Sequence, residues 1–199
     1  IFAGYFHTLA IVSSGVYSWG KNADRQLGDG TTTSRSVPVR VLGLGGAGYL
    51  SGVTAVGGGI FHSVALTPSG VFSWGDNQYG QLGDGTSANS ATPVSVKSVG
   101  GTGTLAGISQ IAVGIYHTLA LTAAGELVAW GYNTYGQLGD GTQVDKNVPI
   151  EVRNSGGGVG NLTGVTAIRA GVYHSMAVSP AGIVSWGFNA QGELCNGTN

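Results

Sequence analysis

Charge is scarce in this sequence. Lys and Arg number eight and Asp and Glu nine among 199 residues, so charged side chains make up 9%, where an average domain carries about 25%. A net charge of −1 leaves no basic footprint of the kind that phosphate backbones and anionic lipid surfaces select. The single cysteine, Cys195, excludes an internal disulfide framework. No apolar run reaches the ~20 residues of a membrane-spanning helix, and no stretch carries the 3.6-residue period of an amphipathic helix. The glycine-rich phrases lack the Lys-[Ser/Thr] of a phosphate-binding loop and precede no helical pattern, which excludes that chemistry.

What the chain does have is glycine, 38 of 199 residues, against about 7% in an average protein. With 42% hydrophobic residues beside it, this is not the composition of a disordered linker. The glycines are in register. The phrase Gly70-Val71-Phe72-Ser73-Trp74-Gly75-Asp76-Asn77-Gln78-Tyr79-Gly80-Gln81-Leu82-Gly83-Asp84-Gly85-Thr86 occurs in four versions, and each holds one of the four tryptophans: Trp19, Trp74, Trp130 and Trp186, at steps of 55, 56 and 56. His7, His62, His117 and His174 keep the same beat, at steps of 55, 55 and 57. Self-similarity at such a period is the signature of a repeat architecture.

Each full repeat reads as four short strands. In the second, Val53–Val56 runs into Gly57-Gly58-Gly59, and His62–Leu66 stops at the turn residues Thr67-Pro68-Ser69-Gly70. Val71–Trp74 then leads into the long polar loop. The fourth, Thr92-Pro93-Val94-Ser95-Val96, opens with a proline, which cannot donate to a ladder and so marks an edge strand. The bridges between repeats, Gly45–Gly52, Gly100–Gly107 and Gly157–Gly164, repeat their glycines and one leucine, and read as ordered crossings. Alternation puts His62, Val64 and Leu66 on one face and Ser63 and Ala65 on the other. A bulky face and a small-residue face suit sheets that stack around an axis. Four-stranded antiparallel sheets repeated radially make a β-propeller.

The string Gly-x-[Phe/Tyr]-His-[Ser/Thr]-x-Ala, then Trp-Gly-x-Asn-x-x-Gly-Gln-Leu-Gly-Asp-Gly-Thr, then x-Pro-x-x-Val resembles the repeat of the regulator of chromosome condensation family. The resemblance covers essentially the whole chain. It implies an all-β fold of four-stranded antiparallel blades, part of a seven-bladed ring. About 3.6 repeats of 55–56 residues are present, approximately 1–52, 53–107, 108–164 and 165–199. The first copy departs from the loop pattern at Asp24-Arg25, and the fourth at Glu193, Cys195 and Asn196. The chain starts in the middle of a repeat and stops inside a loop, so the expectation is a portion of a longer protein, its ring completed by further blades or by another copy.

The candidate residues sort against this frame. The four histidines fall on different blades, about a sheet spacing of ~10 Å apart, whereas zinc ligands lie ~2.0–2.1 Å from one metal. They are read as structural anchors, like the four tryptophans, with ring nitrogens satisfied by backbone groups. Asp29, Asp84 and Asp140 stand in Asp-Gly pairs, which is turn chemistry. No nucleophile is paired with a recurring base. The expectation is therefore no catalytic, metal or cofactor-binding residue, and no cofactor. The aromatics before each histidine, Phe6, Phe61, Tyr116 and Tyr173, together with Tyr5, remain. Either they pack between blades, or they ring one face of the propeller as a partner-binding surface of the kind aromatic anchors form.

The function these observations favour is a non-enzymatic interaction or structural module of a larger extracellular or cell-surface protein. The expected partners are protein or further blades or copies of itself, with no nucleic acid and no membrane span. A secreted inhibitor of the β-lactamase-inhibitor propeller type is the alternative. Nucleotide exchange on a small GTPase, which the resemblance also implies, and an enzyme proper come behind both. Chromatin docking would leave a basic footprint that this composition lacks.

Overall fold

The structure, a computed structural model, describes residues 1–153 and 160–198. It is all-β. The first blade is built from β1 (Phe2–Ala3), β2 (His7–Val12), β3 (Gly15–Gly20) and β4 (Arg35–Arg40). The second has β5 (Ala55–Gly58), β6 (His62–Thr67), β7 (Gly70–Gly75) and β8 (Ser90–Ser95), and the third β9 (Ile108–Val113), β10 (His117–Thr122), β11 (Leu127–Gly131) and β12 (Lys146–Glu151). The fourth shows three strands, β13 (Ala167–Ala170), β14 (His174–Ser179) and β15 (Gly182–Gly187). Within each sheet the strands neighbour one another in chain order, and the pairings are antiparallel. These are propeller blades, and together they form a partial propeller.

The proline strands β4, β8 and β12 lie at the outer edge of their sheets, as a residue without an N–H requires. The ladder opens there to let the proline through. Ser73 pairs with Val94 and Gly75 with Ser90, so a single residue, Trp74, stands opposite three.

The first strand differs from the sequence reading. It starts later and runs into the glycines, with Gly57 opposite Val64 and Gly58 opposite Ser63. The reason is crowding from the neighbouring blades. A Cβ on Gly57 would run into Val113 of the third blade, and one on Gly58 would press on the ring of His7 of the first. Gly83 is a second case, with φ +65° and the Trp130 ring of the next blade 2.8 Å from where its Cβ would be.

Three apolar clusters fill the seams between blades. In the first, Leu9 and Val16 of blade one meet Ala65 and Trp74 of blade two. Val64, Leu66 and Val71 then meet Ala120 and Trp130, and Leu119, Leu121 and Leu127 meet Ala177 and Trp186. The large face of one blade thus rests on the small face of the next, and the small residues make room for the indole. Trp74 and Trp130 are fully buried, whereas Trp19, in the first of the described blades, is half-buried. Burying an aromatic of this size removes about 150–250 Å² from water, roughly 4–6 kcal/mol of transfer free energy at most.

The bridges are ordered, as their pattern implies. Leu50, Leu105 and Leu162 are buried, and each N–H donates to the carbonyl of the equivalent residue, Val41, Val96 or Val152. The Gly157–Val159 part of the third bridge lies outside the described residues.

Candidate functional site

The histidines close the seams. His7 Nε2 lies 2.7 Å from the Ser63 hydroxyl and His117 Nε2 3.0 Å from that of Ser175, while His62 reaches Thr118 at 3.5 Å. Ser63 and Ser175 in turn donate to the carbonyls of Gln26 and Gln137, and the indole N–H groups of Trp74 and Trp186 donate to the same two oxygens. Backbone groups do not satisfy the rings, contrary to the sequence reading. A hydroxyl on the next blade meets Nε2, and Nδ1 of His7, His62 and His117 is buried with no partner. That hydroxyl was visible in the sequence as the invariable Ser or Thr after each histidine. Burial lowers the His7 pKa to about 4. Burial, then the neighbouring histidines, lower those of His62 and His117 to about 3. These are neutral packing groups.

The long loops are folded by an asparagine at their centre. Asn77 Nδ2 points at Asp84 Oδ1, the Thr86 carbonyl and hydroxyl, and the Ala88 carbonyl, all at 3.2 Å, while its Oδ1 accepts the Leu82 N–H. Asn22 and Asn133 repeat this arrangement. Asp29, Asp84 and Asp140 accept from the N–H two residues on, which is the turn role read from the sequence. The hydrogen bonds of Thr31 and Arg35 hold Asp29 below its ordinary range despite burial, which pushes the other way.

This loop architecture places side chains on one face of the propeller. The residue after each Trp-Gly donates its N–H to the carbonyl of the aromatic in its own blade: Lys21 to Phe6, Asp76 to Phe61, Tyr132 to Tyr116 and Phe188 to Tyr173, each at 2.9 Å. Two loop tyrosines, Tyr79 and Tyr135, are turned the same way by Gln81 and Gln137, whose Oε1 atoms accept their N–H groups.

The outcome is a band of nine rings. Tyr5 meets Phe6 edge-on at 5.3 Å, Phe6 stacks on Phe61 at 6.1 Å, and Phe61 faces Tyr116 at 6.3 Å. From Tyr116 the contacts run through Tyr79 and Tyr132 to Tyr135, Tyr173 and Phe188, with centroids 4.9–6.4 Å apart. Lys21 lies over Phe61, 4.2 Å from its centroid, and makes a charge contact of 2.9 Å with Asp24 without the alignment of a hydrogen bond. Burial, then the neighbouring tyrosines, push the Tyr116 and Tyr173 hydroxyls above their ordinary pKa.

None of the five aromatics singled out in the sequence belongs to the buried clusters between blades. Their exposure is uneven. Tyr5 is 64% and Phe6 48% exposed, whereas Phe61, Tyr116 and Tyr173 are half-buried, each in contact with other rings of the band. Tyr5 also lines a trough of about 290 Å³ with Ile115, Val172 and the glycines beside the histidines. Sequence reasoning missed Tyr79, Tyr132, Tyr135 and Phe188. Among the described residues no group of three or more His, Cys, Asp or Glu is placed to hold a metal, and no helix is long and apolar enough to cross a membrane.

The profile of the Regulator of chromosome condensation (RCC1) repeat matches residues 13–66, 69–121 and 124–178. The chain belongs to this repeat family. Among family relatives, it is 37% identical over 198 residues to the ultraviolet-B receptor UVR8 of Arabidopsis thaliana, covering 98% of this chain and 42% of that one. It is 35% identical over 199 residues to the probable E3 ubiquitin-protein ligase HERC6 of Homo sapiens, covering 96% and 18%. Of solved structures, Prp20p from Saccharomyces cerevisiae superposes with a TM-score of 0.75 at 25% identity, over 98% of this chain and 46% of that one. Human WBSCR16 superposes at 0.72 with 30% identity, over 94% and 46%. The chain spans less than half the length of these relatives.

Proposed function

We propose that this chain is a non-enzymatic protein-interaction module that docks partners through the aromatic band. The observation that carries the reading is the band itself. Nine contiguous rings lie on one propeller face, outside the seams that hold the blades together. Aromatic residues are the commonest anchors of protein interfaces. One relative supports it by its described properties: Prp20p, yeast RCC1, is described with binding properties to Gsp1p and histones and as bound to Kap60. Low charge argues against nucleic acid as the partner. The setting we propose, a larger extracellular or cell-surface protein, rests on that low charge and on the richness in Gly, Ser and Thr.

The test is affinity purification of a partner followed by mapping. Phe61→Ala with Tyr116→Ala should weaken binding at least tenfold, and Gln143→Ala, on an exposed loop, should leave it unchanged. A partner that binds the doubly substituted chain as well as the native one overturns the reading.

A further inference from the structure

The aromatic band repeats one arrangement in successive blades, with a cation in the first blade and an anion in the second. In the first, between Phe6 and Phe61, the Lys21 ammonium lies 5.6 Å and 4.2 Å from the two ring centroids and 2.9 Å from Asp24. The molecule there supplies its own cation to two aromatic faces and a carboxylate. Ring quadrupoles and a nearby anion both favour that arrangement.

One blade further on, the same position holds an anion. Asp76 occupies the place of Lys21, its N–H bonded to Phe61 as that of Lys21 is to Phe6. It stands next to the Phe61–Tyr116 pair, which Tyr79 extends at 5.2 Å from Tyr116. Asp76 is only 7% exposed. Its Oδ2 accepts a 2.8 Å hydrogen bond from Gln81 Nε2, and no cation lies within ion-pair distance among the described residues. Burial of a carboxylate with one neutral donor and no counter-charge is costly. Blades one and three carry no carboxylate at this position, and there Nε2 of Gln26 and Gln137 has no partner at all. The second notch therefore also joins two rings to a carboxylate, but the carboxylate, Asp76, stands where the first notch has Lys21, Tyr79 stands where it has Asp24, and no cation faces it among the described residues.

We propose that the notch between Phe61 and Tyr116 is a seat for a cationic side chain, arginine or lysine, presented by a protein partner. The proposal rests on the reading of the band as a docking face and names the chemistry of what docks there. Apolar residues on either side of the cation would lie along the neighbouring rings, so the matching segment is a single basic residue flanked by aliphatic ones. Uncharged or acidic segments would leave Asp76 desolvated without compensation.

The probes are two peptides, acetyl-Leu-Arg-Leu-amide and its citrulline counterpart, which keeps the shape and loses the charge. Both are titrated into the 199-residue chain and followed by proton NMR. The expected result is binding of the arginine peptide with its side-chain CH2 signals moved upfield by the ring currents, and about tenfold weaker binding of the citrulline peptide. Asp76→Asn keeps an oxygen for Gln81 and should remove the difference between the two peptides. Phe61→Leu should abolish the upfield shift. Lys21→Ala vacates the first notch beside Asp24, so the stoichiometry of the arginine peptide should rise from one to two. Equal affinity of both peptides for the native chain overturns the proposal, as does an Asp76→Asn chain that still prefers arginine, or the absence of binding. If both peptides bind equally and Phe61→Leu weakens both, the band still docks protein segments and only the cation seat falls.

Discussion

His7 Nε2 and the Ser63 hydroxyl meet at 2.7 Å across the first seam, and that hydroxyl gives its own proton to the Gln26 carbonyl 2.8 Å away. A hydroxyl has one proton to donate. The histidine must therefore be the donor, protonated on Nε2 and bare on the buried Nδ1. His117 and Ser175 repeat the relation with Gln137. The partners fix the tautomer, and burial holds the ring neutral.

Acid should therefore loosen the propeller. Unfolded, these rings take up a proton near pH 6.5; folded, His7 resists to about 4 and His62 and His117 to about 3. Between those limits the unfolded chain binds more protons, so stability falls as pH falls, by up to roughly 1.4 kcal/mol per pH unit for each ring. Above pH 7 this contribution is flat. Urea melts between pH 8 and 4.5 should show a midpoint constant above 7 and declining below 6. A midpoint that rises on acidification contradicts the neutral-ring assignment.

The seam hydroxyl is separable from the apolar packing. Ser63→Ala leaves His7 Nε2 unpaired and takes one of two donors from the Gln26 carbonyl, and should cost about 1–3 kcal/mol. Ser63→Thr restores the hydroxyl that Thr118 supplies in the next blade, and should cost less. Denaturant midpoints of the two variants check the order.

The tryptophans should not be equivalent. Trp74→Ala removes a fully buried indole and its bond to Gln26, at about 3–5 kcal/mol. Trp19 is half-buried and, among the described residues, its indole N–H has no carbonyl partner, so Trp19→Ala should cost less than half as much. Gln143→Ala should stay under ~0.5 kcal/mol. Equal melting shifts for the two tryptophan variants would mean that the seams do not anchor the blades.

Much of the architecture was readable because period, strand alternation and turn chemistry agree. Histidine, tryptophan and the Asp-Gly pair recur at fixed places, and each place has one physical job. The glycines of β5 misled because they look like a strand end when read alone; only the neighbouring blades explain their place in the ladder. Four of the nine rings of the aromatic band were hidden for a related reason. Positions 21, 76, 132 and 188 are Lys, Asp, Tyr and Phe, so no recurring residue type announces the site. Tyr79 and Tyr135 recur in only two of the four loops. The band is assembled by the fold from unlike members of like positions.

The loop asparagine offers a sharper test of the loop fold. Asn77→Asp keeps the acceptor for Leu82 but sets an anionic oxygen among four oxygens where an amide NH2 now sits. It should destabilise more than Asn77→Ala, which costs about 1–3 kcal/mol for the orphaned groups. Limited proteolysis between Gly80 and Asn89 should reveal both, Asp faster than Ala.

The seam has a further consequence for how such a chain changes length. Its donors, the hydroxyl after the histidine and the indole, belong to one repeat. Its acceptor, the Gln carbonyl, belongs to the repeat before. Every unit therefore carries both halves of a joint, one for each neighbour. Copying a unit of about 55 residues creates a new joint without a single compensating substitution, and deleting one heals the gap in the same way. Stability then accumulates by neighbour contacts along the array, and no residue within a repeat encodes how many repeats follow.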